Sequence, residues 1–158
     1  MPNPWRAAFF KQAKSDFGTF KLLNRQHVAF CHQLHYLQMA TEKLAKGFLC
    51  EPSRSKPPKQ VHEALLRFLR IAKTMPFLAR ECGYSPAQFR RFIEGLYSIA
   101  EEIEKLAPGA SNRPNPEYPW EQNGNVLVPV DYPFAHLNLA RPQMRKVLSF
   151  LDKCFRLI

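Results

Sequence analysis

Apolar residues recur with the period of an α-helix throughout the segment that follows Asn24. The repeating positions are Phe30, Leu34, Leu37, Thr41, Leu44, Ala45 and Phe48. Residues spaced by three or four positions lie on one face of a helix, so this face must be covered by other apolar surfaces. Asn24 is a favoured N-cap residue. The pattern therefore predicts one long helix of about seven turns that ends at Leu49.

The same period occurs in four other segments and predicts a helix in each of them. These helices span residues 5–23, 60–74 and 86–107, and the last one begins near residue 141. Ser85 followed by Pro86 supplies a favoured N-cap and a favoured first helical residue. The sequence therefore predicts an all-α fold, an up-and-down bundle of four or five helices, with residues 1–158 in a single domain.

Residues 108–141 form a stretch that is too long and too rich in proline to be a plain helix connection, and we call it the flap. Asn123 and Gly124 are a preferred pair for a type I′ turn. Aromatic and apolar residues flank this pair, which predicts a short β-hairpin within residues 118–130. The flap is expected to lie over the bundle, held by Tyr118, Trp120, Tyr132 and Phe134.

The chain carries a formal net charge of +10, from 23 Lys and Arg residues against 13 Asp and Glu residues. A basic surface attracts polyanions through long-range electrostatics, although an excess of charge also serves solubility. No apolar run approaches the ~20 residues of a membrane-spanning helix. The N-terminal segment lacks the apolar core of a signal peptide. We therefore expect a cytoplasmic protein without a membrane partner.

The four cysteines are scattered singly along the chain, which is typical of reduced structural thiols. His27, Cys31 and His35 follow one another at helical spacing. His62 or Glu42 could act as a further metal ligand only if the fold brought it near these three residues. Zinc needs three or four converging ligands, and spacing along one helix does not supply them. The sequence therefore predicts no metal site and no cofactor.

Glu42 falls at the edge of the apolar stripe of the long helix, beside Gln38, and is expected to be half-buried. Burying a carboxylate without a partner costs several kcal/mol, on the order given for buried ions. Glu42 is therefore expected to take part in one of two arrangements. The first is a structural contact with a neighbouring helix, and the second is a functional pocket.

The segments "HYLQMATEKLAKGFL" and "PPKQVHEALLRFL" resemble the HEPN family, the higher eukaryotes and prokaryotes nucleotide-binding domains. In that family a long second helix carries a Gln-Ala-Glu-Lys signature, and a histidine opens the third helix. The positions that fall on this pattern are Gln38, Ala40, Glu42, Lys43, Lys46 and His62. The segment "NRPNPEYPW" is similar to the family's stretch that ends in Arg, Tyr and Pro, although Arg113 stands apart from Tyr118 and Pro119.

The resemblance implies a helical bundle that is often a homodimer and that associates with a nucleotide or RNA. It also implies a place in a toxin-antitoxin or defence pair, with a nucleotidyltransferase as the partner protein. Ribonuclease members of the family carry an arginine followed after four to six residues by a histidine near the final helix. In this chain the only histidine of the C-terminal third, His136, precedes Arg141. The resemblance therefore implies a non-catalytic member.

Two alternatives to the non-catalytic binding domain stay open at the level of the sequence. One is a divergent, metal-independent ribonuclease that uses Arg25 with His27, His32 or His35, because Arg25 and His32 have the required spacing on the long predicted helix. The other is a homo-oligomeric interaction module that associates through exposed aromatic residues.

The candidate ligand-binding residues combine the motif on the long helix with basic and aromatic side chains elsewhere. Cations suit phosphate groups, and an exposed aromatic ring can stack on a base. The candidates on the long helix are His35, Gln38, Glu42 and Lys46. The candidates for phosphate are Lys46, Arg90, Arg91 and Arg113, and those for stacking are Tyr118 and Trp120.

Overall fold

The computed structural model of the chain describes residues 3–51, 63–109 and 113–158. Within these ranges the chain forms seven α-helices, one two-stranded antiparallel hairpin and two short 3₁₀ turns. The helices are α1 Pro4–Arg25, α2 Phe30–Leu49, α3 Ala64–Ala72, α4 Pro76–Cys82, α5 Pro86–Glu94, α6 Tyr97–Glu104 and α7 Pro142–Arg156. The strands are β1 Trp120–Gln122 and β2 Asn125–Leu127, and the 3₁₀ turns are Pro129–Asp131 and Ala135–Leu137.

The predicted all-α bundle with a short hairpin before the last helix is confirmed. The predicted start of the third helix at residue 60 lies outside the described residues. In the part of the chain that the structure describes, no helix is both long enough and apolar enough to cross a bilayer.

The boundary between α1 and α2 differs from the predicted one. The first helix continues through Gly18 to Arg25, so Asn24 lies in its last turn and does not cap α2. A glycine inside a helix costs about 1 kcal/mol, and the burial of Phe17 and Phe20 on either side of Gly18 outweighs this cost. The chain then turns through His27, which has a left-handed φ of 53°.

Two features of the middle of the chain also differ from the prediction. Helix α4 was missed because seven residues are too few to show a helical period. The single helix predicted over 86–107 is interrupted at Gly95, where the backbone tightens as Leu96 N donates to Ile93 O at 2.9 Å. Buried apolar positions continue across this break, so the sequence pattern does not reveal it.

A chain of aromatic rings, which we call the aromatic spine, connects five helices through the core. Its members are Phe10 of α1, Phe48 of α2, Phe68 of α3, Phe150 of α7 and Phe89 of α5. Phe48 and Phe68 stack with ring centroids 4.5 Å apart, and Phe68 lies 6.2 Å from Phe150. Such ring pairs add to the free energy gained from burying apolar area. The spine therefore fixes α7 against the N-terminal helices.

The flap contains the predicted hairpin and packs through part of the predicted set of aromatic residues. Asn123 and Gly124 have φ values of 53° and 75°, as the two central positions of a type I′ turn require. Trp120 and Tyr132 lie 5.0 Å apart in an edge-to-face contact. Tyr118, which was expected to help hold the flap, is instead 60% exposed.

Two glycines in the first two helices provide a matched test of the packing between α1 and α2. A Cβ atom at Gly47 of α2 would lie 2.4 Å from the ring of Phe10, whereas a Cβ atom at Gly18 of α1 would meet nothing within 4 Å. We expect Gly47→Ala to lower the free energy of unfolding by about 1–3 kcal/mol through overpacking. Gly18→Ala should raise it by about 0.5–1 kcal/mol. Urea denaturation measures both values, and equal effects would contradict the packing of α1 on α2.

Candidate ligand site

Three candidate residues of α2 form a hydrogen-bonded ladder along one side of the helix. Gln38 Nε2 donates to Glu42 Oε2 at 2.9 Å, and Lys46 Nζ donates to Glu42 Oε1. Burial alone would raise the pKa of Glu42, but the hydrogen bonds from Lys46 and Gln38 lower that pKa below its ordinary value. Glu42 is therefore ionised and paired within its own helix.

Lys43, the other lysine of the same motif, has a structural contact. Its Nζ atom donates to Asp16 Oδ2 at 2.5 Å, and Gln12 Nε2 donates to Asp16 Oδ1 at 2.9 Å. Asp16 is only 4% exposed, so the contact is a buried ion pair between α1 and α2. Removing one member of such a pair leaves an uncompensated charge in the core. Lys43 of this motif therefore serves the packing of the two helices, whereas Glu42 is paired within α2.

His35 joins α2 to the flap. Its Nδ1 atom lies 3.7 Å from Glu117 Oε2, and both side chains are partly exposed. Glu117 immediately precedes Tyr118, so this contact holds the start of the hairpin segment against α2. The structure thus brings His35 and the flap together, whereas Glu42 engages Gln38 and Lys46 on its own helix.

The two aromatic candidates of the flap have different environments. Trp120 is 2% exposed and packs against Tyr132 and Phe134, with ring centroids 5.0 and 6.3 Å away. A base cannot stack on a ring that is covered in this way, so the expectation that Trp120 binds a base is not supported. Tyr118 is 60% exposed, and the cationic candidates Arg90 and Arg91 are exposed on α5.

Arg113 lies in a groove of mixed charge. Its Nη2 atom donates to Ala107 O at 3.1 Å, and it lines a groove of about 500 Å³. Three carboxylates, from Glu63, Glu101 and Glu104, and two further cations, from Arg70 and Lys105, line the same groove. None of the other eight predicted ligand-binding residues lines this groove. The nine predicted ligand-binding residues therefore do not meet in a single site.

The fold also differs from the prediction at the residues suggested for a ribonuclease site. Arg25 is the last residue of α1, and His32 lies in the first turn of α2, so the prediction that they share one helix is wrong. His27 belongs to the turn between the two helices. Among the described residues, no group of three or more His, Cys, Asp or Glu side chains could hold a metal ion. His62 lies outside the described residues.

A second cavity, which we call the α7 pocket, brings together cationic and aromatic side chains, which the predicted site does not. Its volume is about 220 Å³. Its lining residues are Cys82, Tyr84, Phe92, Arg145, Lys146, Ser149, Phe150 and Lys153. Three of these side chains are cationic and three are aromatic, and none of the described residues that line the pocket is acidic. An anionic ligand with an apolar or aromatic part matches this lining.

The turn between α4 and α5 builds the aromatic side of the α7 pocket. Helix α4 ends at Gly83, whose φ of 72° is the left-handed conformation that favours glycine. Ser85 precedes α5 and forms a capping box, in which its side chain accepts from Gln88 N and the Gln88 side-chain oxygen accepts from Ser85 N. These two caps fix Tyr84 between them, with its ring 5.1 Å from that of Phe92.

Helix α7 provides the cationic side of the pocket. Arg145, Ser149 and Lys153 are spaced by four residues, so they lie along one side of the helix. Opposite them, Val147 and Leu151 are fully buried. Lys153 Nζ donates to Glu81 O at 3.3 Å, which orients the ammonium group at the end of α4. The sequence alone indicated only an exposed basic face here, because the aromatic partners come from α4 and α5.

The thiols near the pocket are protonated. Burial raises the pKa of the Cys82 thiol, while Lys153 opposes this effect and Glu81 reinforces it. Burial also raises the pKa of Cys154 well above its ordinary value, and Cys82 adds to that shift. A protonated thiol is a poor nucleophile. The pocket is therefore suited to binding and not to thiolate chemistry.

Glu104 occupies an unusual position at the beginning of α3. Its Oε1 atom accepts a hydrogen bond of 3.0 Å from Leu66 N, in the first turn of that helix. Burial raises the pKa of Glu104 to about 6, the backbone hydrogen bonds from α3 oppose this shift, and Glu63 and Glu101 add to it. Glu104 thus caps a helix from a distant part of the chain.

A search with protein-family models, among curated proteins and among solved structures finds no significant match to this chain. The resemblance to the HEPN family therefore stays a prediction.

The raised pKa of Glu104 predicts a pH-dependent stability. The folded state binds the proton more tightly than the unfolded state, whose ordinary value is 4.5. This contribution to stability is therefore fully present below pH 4.5 and is lost as the pH rises through about 6. In Glu104→Gln, which keeps an acceptor for Leu66 N, this loss should be absent. Between pH 4 and 8, the free energy of unfolding of the unmodified protein should fall by at most about 2 kcal/mol more than that of the variant. Urea denaturation of both proteins measures this difference.

Other titrating groups are present in both proteins, so their contributions cancel in the comparison. Identical pH profiles for the two proteins would contradict the assignment of Glu104 as the titrating cap.

Proposed function

We propose that this chain is a non-catalytic helical domain that binds a nucleotide or RNA in the α7 pocket. The observation that carries the proposal is the convergence of Arg145, Lys146 and Lys153 beside aromatic rings, in a cavity that no acidic side chain among the described residues lines. Phosphate binds to such cations, and a base packs on such rings.

The rest of the charge distribution supports this choice of site. Five lysines on other surfaces are paired with carboxylates: Lys21, Lys43, Lys46, Lys73 and Lys105. Their positive charge is largely neutralised where it stands. The α7 pocket, in contrast, brings three cations together with no carboxylate among the described residues of its lining. A cleft lined by one sign of charge raises the encounter rate with ligands of the opposite sign.

The non-catalytic part of the proposal rests on the sequence and on the position of Arg25 and His32 on two different helices. A ribonuclease of the expected kind needs an arginine and a histidine that face the same phosphate. In this chain the two residues with matching spacing lie on different helices. The resemblance to nucleotide-binding domains supports the choice of ligand, and a nucleotidyltransferase partner remains part of the same proposal.

Removing charge from the pocket tests the proposal. We expect Arg145→Gln/Lys146→Gln to weaken the binding of a labelled RNA of about 12 nucleotides by tenfold or more at low salt. The slope of log affinity against log salt should fall by about 1.4, because two phosphate contacts to a single strand are lost. Fluorescence anisotropy at several salt concentrations measures both quantities, with a labelled ATP analogue as a second ligand.

The matched control is Lys11→Gln/Arg25→Gln, which removes the same charge from exposed positions of α1. An equal loss of affinity in the control would show that binding follows net charge and not the pocket. If neither the RNA nor the ATP analogue binds the unmodified protein, the proposed function is wrong.

The flap supports a second proposal, self-association into a homodimer. Val126, Val128 and Val130 are 71%, 42% and 56% exposed, and Tyr118 nearby is 60% exposed. Several large apolar side chains exposed in one short segment are a feature of protein interaction surfaces. The resemblance to a family whose members are often homodimers supports the same partner.

We expect Val126→Asp/Val130→Asp to shift the protein from dimer to monomer, because charges placed in an apolar interface lose their hydration. Size-exclusion chromatography with light scattering measures the mass of each form. Leu22→Asp, at an α1 residue that is 45% exposed, is the control and should remain a dimer. A monomeric unmodified protein would contradict the proposal.

A further inference from the structure

We infer that the ligand of the α7 pocket is a single strand of nucleic acid, one base of which enters the pocket and stacks on Tyr84. This inference rests on the proposed function and selects one class of ligand within it. Three observations lead to it: the size of the pocket, the accessibility of Tyr84 and the course of the cations beyond the pocket.

The size of the α7 pocket limits what it can enclose. Sites for complete small ligands and cofactors occupy about 300–1,000 Å³, whereas this pocket has a volume of about 220 Å³. A pocket of this size holds one flat ring system or one phosphate group, but not a complete nucleoside triphosphate. The remainder of the ligand must therefore lie outside the pocket, on the surface of the protein.

Tyr84 is placed to receive a base. Its side chain is exposed enough to be reached, with 39% of the residue accessible, and it packs on Phe92 at a ring distance of 5.1 Å. Phe150, which is 1% exposed, supports the same wall from the core. Stacking on an exposed ring requires a base that is not already paired and stacked in a duplex. The pocket therefore selects single strands over double helices.

Helix α7 continues the cationic surface away from the pocket. Arg145 and Lys153 lie two turns apart on one side of the helix, and Arg156 lies one turn farther along. Asp152 shares this exposed side, but it is paired with Lys21 of α1. Arg145, Lys153 and Arg156 therefore form a row, which suits the successive phosphates of an extended strand better than the clustered phosphates of a free nucleotide.

The experiment uses a single strand of about eight nucleotides that carries one 2-aminopurine, whose fluorescence falls when the base stacks. We expect quenching with the unmodified protein and with Tyr84→Phe, which keeps the ring. Tyr84→Ala should abolish the quenching and weaken binding by about tenfold or more, within the range measured for single base-aromatic stacks. The matched control is Phe77→Ala, at an aromatic residue of α4 that is 40% exposed and does not line the pocket, and it should behave as the unmodified protein.

Competition with other ligands completes the test. AMP, ATP, a duplex of the same sequence and poly-glutamate should each displace the strand only at concentrations at least tenfold higher than an unlabelled single strand. Comparing RNA with DNA strands identifies the sugar that is preferred, and a preference for either one supports the inference. Circular dichroism confirms that each variant is folded.

The outcomes separate this inference from the proposed function. If the strand binds, and Arg145→Gln/Lys146→Gln weakens it while Tyr84→Ala changes nothing, the stacked base is overturned and the proposed function stands. If ATP, the duplex or poly-glutamate competes as well as the single strand, the ligand class is overturned. If no nucleotide or nucleic acid binds at all, the proposed function fails, and the inference fails with it.

Discussion

The packing of Phe150 against the rings of α3 and α5 is the interaction on which both the fold and the proposed site depend. Phe150 lies 6.2 Å from Phe68, 6.3 Å from Phe89 and 6.2 Å from Phe92, and it is almost completely buried. The same ring forms part of the wall of the α7 pocket. Because close-packed interiors transmit displacements, a shift of α7 in the core would also move the cations of the pocket. The core thus positions the site directly, without an intervening loop.

Some charged side chains of the protein form ion pairs with one another, whereas others line the α7 pocket without a carboxylate partner in its lining. Lys43 of α2 is paired with Asp16 of α1, and Lys46 is paired with Glu42 of its own helix, so the motif that suggested a ligand site consists of structural ion pairs. Exposed pairs of this kind contribute little to stability, whereas the buried pair at Asp16 depends on both partners being present. The cations of α7 have no such role in the core, and this leaves them available to a ligand.

Two histidine-carboxylate contacts lie between the flap and the bundle. His35 of α2 lies 3.7 Å from Glu117, and His136 lies 3.5 Å from Glu102 of α6. Between these points the aromatic residues Trp120 and Phe134 anchor the hairpin in the core. The exposed valines of β2 and of the residues after it therefore project from a segment that contacts the bundle on both sides, which is consistent with the proposed self-association.

The helical period of the apolar residues was sufficient to predict the bundle, and Asn123 with Gly124 was sufficient to predict the hairpin, because both signals arise from contacts within a short segment. The break at Gly95 was not predictable in this way, since buried apolar positions continue across it. The short helix α4 was not predictable either, because it has too few apolar positions to show a helical period. The motif around Glu42 indicated a half-buried carboxylate correctly, but not that its partners would be Gln38 and Lys46 of the same helix. The α7 pocket needed the tertiary structure, because Tyr84 and Lys153 are far apart in the sequence and become neighbours only when α4 and α5 pack against α7. A sequence determines which face of each helix is apolar, whereas the packing of those faces decides which polar side chains meet.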